Sequence, residues 1–255
     1  MTSSGIKHQA RLCMKGKTPS VFLVAAVYIV IVTVLAELQN WLPGINQGMD
    51  ALLNLRDTQQ LQALISGDGR PVVEFLISYF RPFGAFLAFI IAILTPIVGF
   101  GFNKYCLQIS RGESGEFKTI FGGFNQFGKV FLLNLAIGFF TFLWSLLFLI
   151  PGIIAAFRYS QAFYVLMDNP EMGVMDCIRR SKELMRDNKL DLFILRLSFF
   201  GWVLLEVCVT FIISFTMPLP FAIPVVSFWL TPYMGVSLGC YYNYLVRFMP
   251  TTIEE

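Results

Sequence analysis

The sequence predicts an all-α fold: a polytopic membrane protein with about six transmembrane helices in three hairpins, joined by short cytoplasmic amphipathic helices. Of its 255 residues, 56% are hydrophobic and only 14% are charged, whereas roughly 25% of the residues of a soluble domain are charged. Six apolar tracts approach the length of about 20 residues that a membrane crossing needs. The connections between these tracts also alternate between rich and poor in lysine and arginine. We therefore expect one integral membrane domain over residues 1–255.

The six tracts emerge when the chain is cut at charged residues, prolines and glycines. They cover residues 19–37, 83–105, 130–149, 152–167, 192–216 and 221–246. The fourth tract is the shortest. The first follows a basic segment and ends near a plausible small-residue cleavage site, so a cleaved signal peptide is an alternative to a membrane anchor. Its length favours the anchor, because a signal peptide has an apolar run of about 7–15 residues.

The positive charges predict the orientation, because lysine and arginine near membrane helices stay on the cytoplasmic side. They cluster before the first tract, in the second and fourth connections and at the C-terminus. They are Lys7, Arg11, Lys15 and Lys17; Lys104, Arg111, Lys118 and Lys129; Arg179, Arg180, Lys182, Arg186 and Lys189; and Arg247. The long first connection, residues 38–82, has only Arg56, Arg70 and Arg81. We predict a multi-pass protein of the cell (cytoplasmic) membrane with cytoplasmic N and C termini and an extracytoplasmic loop at 38–82.

Two segments outside the tracts have the pattern of amphipathic helices. Residues 1–18 form a basic amphipathic segment, with Ile6, Ala10, Cys13 and Met14 opposite Lys7, Arg11 and Lys15. After Asn169 and Pro170, which favour a helix start, an apolar face formed by Val174, Cys177, Ile178, Ser181, Leu184 and Met185 lies opposite Arg179, Arg180, Lys182 and Arg186. Both helices are predicted on the inner membrane face. Their basic residues are candidate contacts to anionic membrane lipids or to an acidic protein partner.

Two charged residues, Arg158 and Glu206, lie inside apolar tracts at a similar distance from the predicted outer ends. A charge in hydrocarbon costs at least about 2.5–3.5 kcal/mol unless it is paired or reaches water. An Arg158–Glu206 ion pair is one solution, and Arg158 with Asn134 and backbone carbonyls is another. Either arrangement could lock helices together or line a path for a substrate, an ion or a lipid headgroup.

The residue counts exclude most enzyme chemistry. His8 is the single histidine, and the five cysteines contain no C-x-x-C pair, so no multi-histidine metal site or histidine-based triad can form. We predict no catalytic residue, no metal and no cofactor. The function expected is that of a non-enzymatic scaffold or accessory protein that binds lipid, a membrane protein partner or a second copy, with no role for nucleic acid. The alternative is a small transporter or permease subunit that uses the Arg158/Glu206 region.

Three segments carry a family resemblance: IPGIIAAFRYSQAFYVLMDNPEMG, DCIRRSKELMRDNKLDLFILRLSFFGW and WLTPYMGVSLGCYYNYL. With them the chain resembles DUF975, an uncharacterised family of bacterial integral membrane proteins. It departs from the family pattern in residues 38–82, in 208–228 and at Glu206. The resemblance implies a bacterial cytoplasmic membrane protein and supplies no activity.

Overall fold

The computed structural model describes residues 2–17, 20–54, 70–216 and 224–248, with side chains described outside 40–85 and 214–216. Nearly all of these residues are helical, and the described part of the chain contains no strand. The predicted all-α fold is confirmed.

Nine α-helices and one 3-10 helix are described in chain order. They are α1 (Ser3–Met14), α2 (Val21–Asn54), α3 (Arg70–Ser110), the 3-10 segment (Phe117–Gln126), α4 (Phe127–Leu147), α5 (Leu149–Tyr159), α6 (Ala162–Asp168), α7 (Val174–Leu184), α8 (Lys189–Thr216) and α9 (Ser227–Phe248). Two glycines end helices in the left-handed region that glycine adopts without strain. Gly16 follows α1 with φ of 69°, and Gly112 follows α3 with φ of 83°.

Five stretches are long and apolar enough to cross a membrane: Val21–Gln39, Phe86–Ser110, Phe117–Leu147, Leu149–Asp168 and Lys189–Ile213. The sixth predicted tract does form helix α9, but α9 is not one of these five. Most of α9 from Leu230 to Leu245 is buried within the protein. The count of six crossings and their arrangement in three hairpins therefore stay predictions.

The predicted outer loop, residues 38–82, is largely helical. Helix α2 continues to Asn54 and helix α3 begins at Arg70, while residues 55–69 lie outside the described part. The predicted first crossing ends at the first charged residue, Glu37, and the predicted second crossing begins after Arg81. An α-helix can continue past the end of its apolar tract, because its backbone hydrogen bonds form within the segment.

The chain divides into two compact units, residues 31–95 and residues 1–30 with 96–255. In the smaller unit, the Thr95 hydroxyl donates to the Ile91 carbonyl at 2.9 Å, one turn earlier in α3. The larger unit contains every group considered below. A single membrane domain over the whole chain remains a prediction.

Glycines set the closest backbone contacts in the core of the larger unit. A Cβ on Gly101 of α3 would lie 1.7 Å from the Ile120 carbonyl oxygen of the 3-10 segment, and one on Gly123 would lie 2.3 Å from the Ile97 carbonyl oxygen. Likewise, a Cβ on Gly235 of α9 would lie 2.7 Å from Cys106 Sγ of α3. The 3-10 segment and α9 thus rest on α3 at distances that only glycine allows.

Large apolar side chains on α4, α5 and α8 are exposed outside this core. They include Leu132, Leu135, Phe139, Phe142, Leu146, Phe148, Ile150, Leu197, Phe200, Leu204, Val207 and Phe211. So much exposed apolar surface is typical of a protein surrounded by lipid.

Candidate functional site

A break between α5 and α6 interrupts the Leu149–Asp168 stretch at Ser160 and Gln161. Such a break frees backbone groups that need new partners in an apolar setting. The fully buried Ser181 of α7 supplies them. Its hydroxyl donates to the Arg158 carbonyl at 2.8 Å and accepts from the Gln161 amide at 3.2 Å. Helix α7 is therefore fixed to the break by one hydroxyl group.

The apolar face predicted for α7 is confirmed, because Cys177, Ile178, Ser181, Leu184 and Met185 are all buried. This face packs against α4, α5 and α6. Protein therefore covers the apolar face of α7. The position of α7 at the inner membrane face stays a prediction.

Helix α1 is likewise docked on protein. Ile6 and Ala10 are buried, and α1 packs mainly along α9 with a smaller contact to α8. Near its C-terminal end, the Cys13 thiol donates to the Ser110 carbonyl at 3.6 Å. The predicted amphipathic helix is thus present, and its basic residues are held in place by the core.

Five cations form the main charged feature of the larger unit, which we call the basic collar. Its members come from four different helices, and four of the five lie over aromatic rings. They are Lys7 and Arg11 of α1, Arg158 of α5, Lys182 of α7 and Arg196 of α8.

Aromatic rings fix the height of the α1 cations. Lys7 Nζ lies 4.2 Å from the ring centroid of Phe199 and donates to the Ser198 carbonyl at 3.1 Å. The Phe199 ring meets the Tyr233 ring edge to face at 5.4 Å, and Arg11 Nε donates to the Tyr233 hydroxyl at 3.1 Å. Phe199 is three residues, or about 4.5 Å, beyond Arg196 along α8. Because Lys7 contacts Phe199 and Arg11 contacts the neighbouring Tyr233, both α1 cations lie close to Arg196 in position along the α8 axis.

The last turn of α5 fixes the other cations at the same height. Arg196 Cζ is 5.5 Å from the centroid of Phe157, and Lys182 Nζ is 5.5 Å from that of Tyr159. Arg158 lies between these two aromatic residues in the chain. Cation–π contacts of this kind are individually worth about 0.5–1 kcal/mol at exposed sites. They position the cations and leave their charge uncompensated.

The collar has an excess of positive charge. Within the described residues, none of its five cations has a carboxylate within 4.0 Å. Burial, followed by repulsion from Arg11, lowers the pKa of Lys7. A recess of about 380 Å³ opens beside this residue and is lined by Ser3, Ser4, Lys7, His8, Arg11 and Ser198. Cations and hydroxyl groups around a recess are the chemistry that binds a phosphate group.

The other predicted basic contacts lie around this collar. Arg179 pairs with Asp176 at 2.8 Å across one helical turn, with 72% of its side chain exposed. Arg180 pairs with Glu183 at 3.1 Å and is only 17% exposed. Lys15 and Arg186 are exposed. Arg196 lies inside the fifth apolar tract, residues 192–216. Its place in the collar depends on α5 and α8 being neighbours.

The predicted Arg158–Glu206 ion pair does not form. The Glu206 Oε2 atom instead accepts from the Ser227 amide at 2.8 Å, and Ser227 is the first residue of α9. A carboxylate at a helix N-terminus satisfies a backbone amide that has no partner within the helix and complements the helix dipole. Glu206 lies ten residues, or about 15 Å, beyond Arg196 along α8. It therefore caps α9 from a position that Arg158 does not reach.

We expect Glu206→Ala to destabilise the protein by about 1.5–3 kcal/mol, the usual contribution of a hydrogen bond to a charged group. Glu206→Gln keeps an oxygen that can accept from the Ser227 amide, so it should recover part of the loss. The measurement is the thermal midpoint in detergent, which shifts by about 2–4 °C per kcal/mol for a chain of this size. Equal midpoints for wild type and both variants would contradict the capping role.

A second polar group joins the ends of α3, α6 and α9. Arg111 donates to both carboxylate oxygens of Asp168, each at 2.8 Å, and to Asn243 Oδ1 at 3.0 Å. Asn243 also donates to the Ser110 hydroxyl at 2.8 Å. Hydrogen bonding to Asp168 raises the pKa of Arg111. The sequence pattern does not reveal this group, because its members are far apart in the chain and only Arg111 stands out, as a positive charge.

No group of three or more His, Cys, Asp or Glu that could hold a metal occurs among the residues described. The described residues thus define the class of protein: an all-helical membrane protein with a basic collar. Residues 146–247 match the family described as "Protein of unknown function (DUF975)". This match covers 102 of the 255 residues and confirms, over that range, the resemblance seen in the sequence. No curated protein and no solved structure matches it.

Proposed function

We propose that this protein is a non-enzymatic scaffold or accessory protein of the membrane that binds anionic phospholipid through the basic collar. The observation that carries the proposal is the collar itself: five cations without a carboxylate partner in the described residues, four of them held over aromatic rings. Structural ion pairs would balance these charges from within the protein. Here the balancing anion must come from outside.

The surroundings of the collar favour a phospholipid over a free anion. Arg196 is followed along α8 by exposed apolar side chains, including Leu197 and Phe200, which are 53% and 54% exposed. A ligand bound here would place its anionic group on the cations and its apolar part along α8. Only an amphiphile satisfies both surfaces at once. Each lysine or arginine near an anionic membrane surface contributes about 1 kcal/mol.

The orientation that agrees with this proposal places the collar at the cytoplasmic face of the cell membrane. The cytoplasmic leaflet is the anionic one, and the excess of lysine and arginine in the corresponding connections supports the same assignment. Both chain termini would then be cytoplasmic.

A small transporter or permease subunit is the second candidate. The break between α5 and α6 beside Arg158 is its support, because broken helices often form transporter binding sites. Within the described part of the chain, the buried Gln161 Oε1 and Glu206 Oε1 atoms also have no hydrogen-bond partner. Co-purification in mild detergent with a protein that carries nucleotide-binding motifs would favour this candidate over a scaffold.

Native mass spectrometry of the purified protein tests lipid binding by titration with phosphatidylglycerol and, separately, with phosphatidylcholine. We expect wild type to prefer phosphatidylglycerol. The double variant Arg158→Gln, Arg196→Gln should bind it at least tenfold more weakly, since two charges contribute about 1 kcal/mol each. Phosphatidylcholine binding should change little.

The matched control is Lys118→Gln, Arg247→Gln, which removes the same charge from two exposed residues outside the collar. This variant should retain the phosphatidylglycerol preference of wild type. Equal binding of the two lipids by wild type would refute the proposal, as would an equal loss of binding in the control variant.

A further inference from the structure

The hairpin formed by α4 and α5 has an unusually apolar tip. The five residues from Leu146 to Ile150 are all large and apolar, and each is 60–74% exposed. Ser145, just before them, donates its hydroxyl to the Thr141 carbonyl at 2.9 Å within α4. A turn that met water would place this whole patch in an unfavourable environment.

The tip lies a short distance from the collar on both arms of the hairpin. Phe148 is ten residues from Arg158 along α5, which is about 15 Å. On the other arm the Phe140 ring lies 6.2 Å from that of Tyr159, and Phe140 is eight residues, or about 12 Å, from Phe148. Helix α8 extends much further, since Ile213 is 17 residues, or about 25 Å, beyond Arg196.

Two placements of the hairpin in a bilayer fit an arm of about 15 Å, because the hydrocarbon layer is about 30 Å thick. Either the tip reaches the far surface and Arg158 lies at the midplane, or Arg158 lies at the near surface and the tip ends at the midplane. Helix α7 decides between them. Its Ser181 is bonded to the Arg158 carbonyl at 2.8 Å, so α7 and Arg158 share one depth.

Five of the eleven residues of α7 are charged: Asp176, Arg179, Arg180, Lys182 and Glu183. Arg158 at the midplane would draw this helix into hydrocarbon, where each charge is strongly unfavourable. Arg158 at the near surface keeps α7 in contact with water and places the apolar tip in hydrocarbon. Arg196 lies at the depth of Phe157, so the part of α8 beyond Arg196 is then long enough to reach the far side of the bilayer.

We propose that the α4–α5 hairpin is re-entrant: it enters the bilayer from the side of the basic collar, ends near the midplane and returns without crossing. The chemistry that covers its tip is that of lipid acyl chains. This inference is independent of which headgroup the collar binds. It also removes the need for a buried partner of Arg158, because the guanidinium group then lies at the headgroups.

Spin-label depth measurements test the proposal in vesicles of phosphatidylglycerol and phosphatidylethanolamine. The five native cysteines are replaced by serine or alanine, and single cysteines are introduced as Leu149→Cys at the tip, Leu197→Cys near the collar and Ile212→Cys near the far end of α8. Collision with oxygen rises, and collision with a water-soluble nickel chelate falls, toward the midplane. We expect the oxygen-to-nickel ratio at position 149 to exceed both others at least threefold. A ratio at 149 equal to that at 212 would overturn the proposal.

A second measurement uses the native cysteine background in case their replacement prevents folding. Leu149→Asp introduces a short charged side chain that cannot reach water from the midplane, whereas Leu149→Ala only shortens the side chain. We expect folded membrane protein from Leu149→Asp at less than one-tenth of the level from Leu149→Ala. Equal amounts would place the tip in water and overturn the inference.

Discussion

Gly101→Ala should abolish most of the folded protein. The new Cβ would lie 1.7 Å from the Ile120 carbonyl oxygen and 2.4 Å from its carbonyl carbon, and no side-chain rotation can relieve contact with backbone atoms. The 3-10 segment would have to move away from α3. Overpacking a core usually costs about 1–3 kcal/mol, and more where the backbone must shift, so we expect a loss at or above the upper end of this range.

Gly99→Ala is the matched control, because it adds the same methyl group to the same helix. Its Cβ would lie 3.7 Å from the Tyr28 hydroxyl oxygen, an ordinary van der Waals contact. Fluorescence-detected size exclusion in detergent measures the folded fraction of both variants. If Gly101→Ala eluted as wild type does, the close packing of the 3-10 segment on α3 would be disproved.

Ser181→Ala should cost the next largest amount of stability. The change leaves the Arg158 carbonyl and the Gln161 amide without the partner that bonds to both at present. An unsatisfied buried polar group costs about 1–3 kcal/mol, so the two together should lower the free energy of unfolding by about 2–6 kcal/mol. The contact between α7 and the break should loosen first.

Ser237→Ala is the control, because it removes a buried hydroxyl group that does not bridge a helix break. Ser237 is as buried as Ser181, but its hydroxyl donates only to the Tyr233 carbonyl one turn earlier in α9, at 2.7 Å. Its removal should cost less than about 1.5 kcal/mol, a typical net hydrogen bond. Thermal midpoints in detergent compare the two variants, and similar shifts would show that Ser181 has no special role at the break.

Local patterns were sufficient to predict the helices and their apolar faces. Composition indicated a membrane protein, and helical spacing predicted the buried face of α7 from Cys177 to Met185. Both predictions depend only on the residues of one segment and on the spacing of its apolar residues. The extent of α2 and α3 was missed, because helices continue past the apolar tracts that reveal them.

The candidate site could be predicted only in part. Lys7, Arg11, Arg158 and Lys182 stood out in the sequence as single charges, but nothing local showed that they share one height with Arg196. That height depends on ring contacts between residues far apart in the chain, such as Phe199 with Tyr233. The Arg158–Glu206 prediction was wrong for the same reason. A similar depth along two separate helices does not show whether those helices are neighbours.

The sequence by itself determined that this chain is an all-helical membrane protein with basic, amphipathic helices beside its apolar tracts, and that part of it resembles DUF975. These properties follow from composition, period and charge, which are local. Only the tertiary structure decided that protein covers the apolar faces of α1 and α7, that Glu206 caps α9 and that five cations form a collar. Each of these depends on contacts between distant segments, and such contacts form where glycines and helix breaks let the backbones approach.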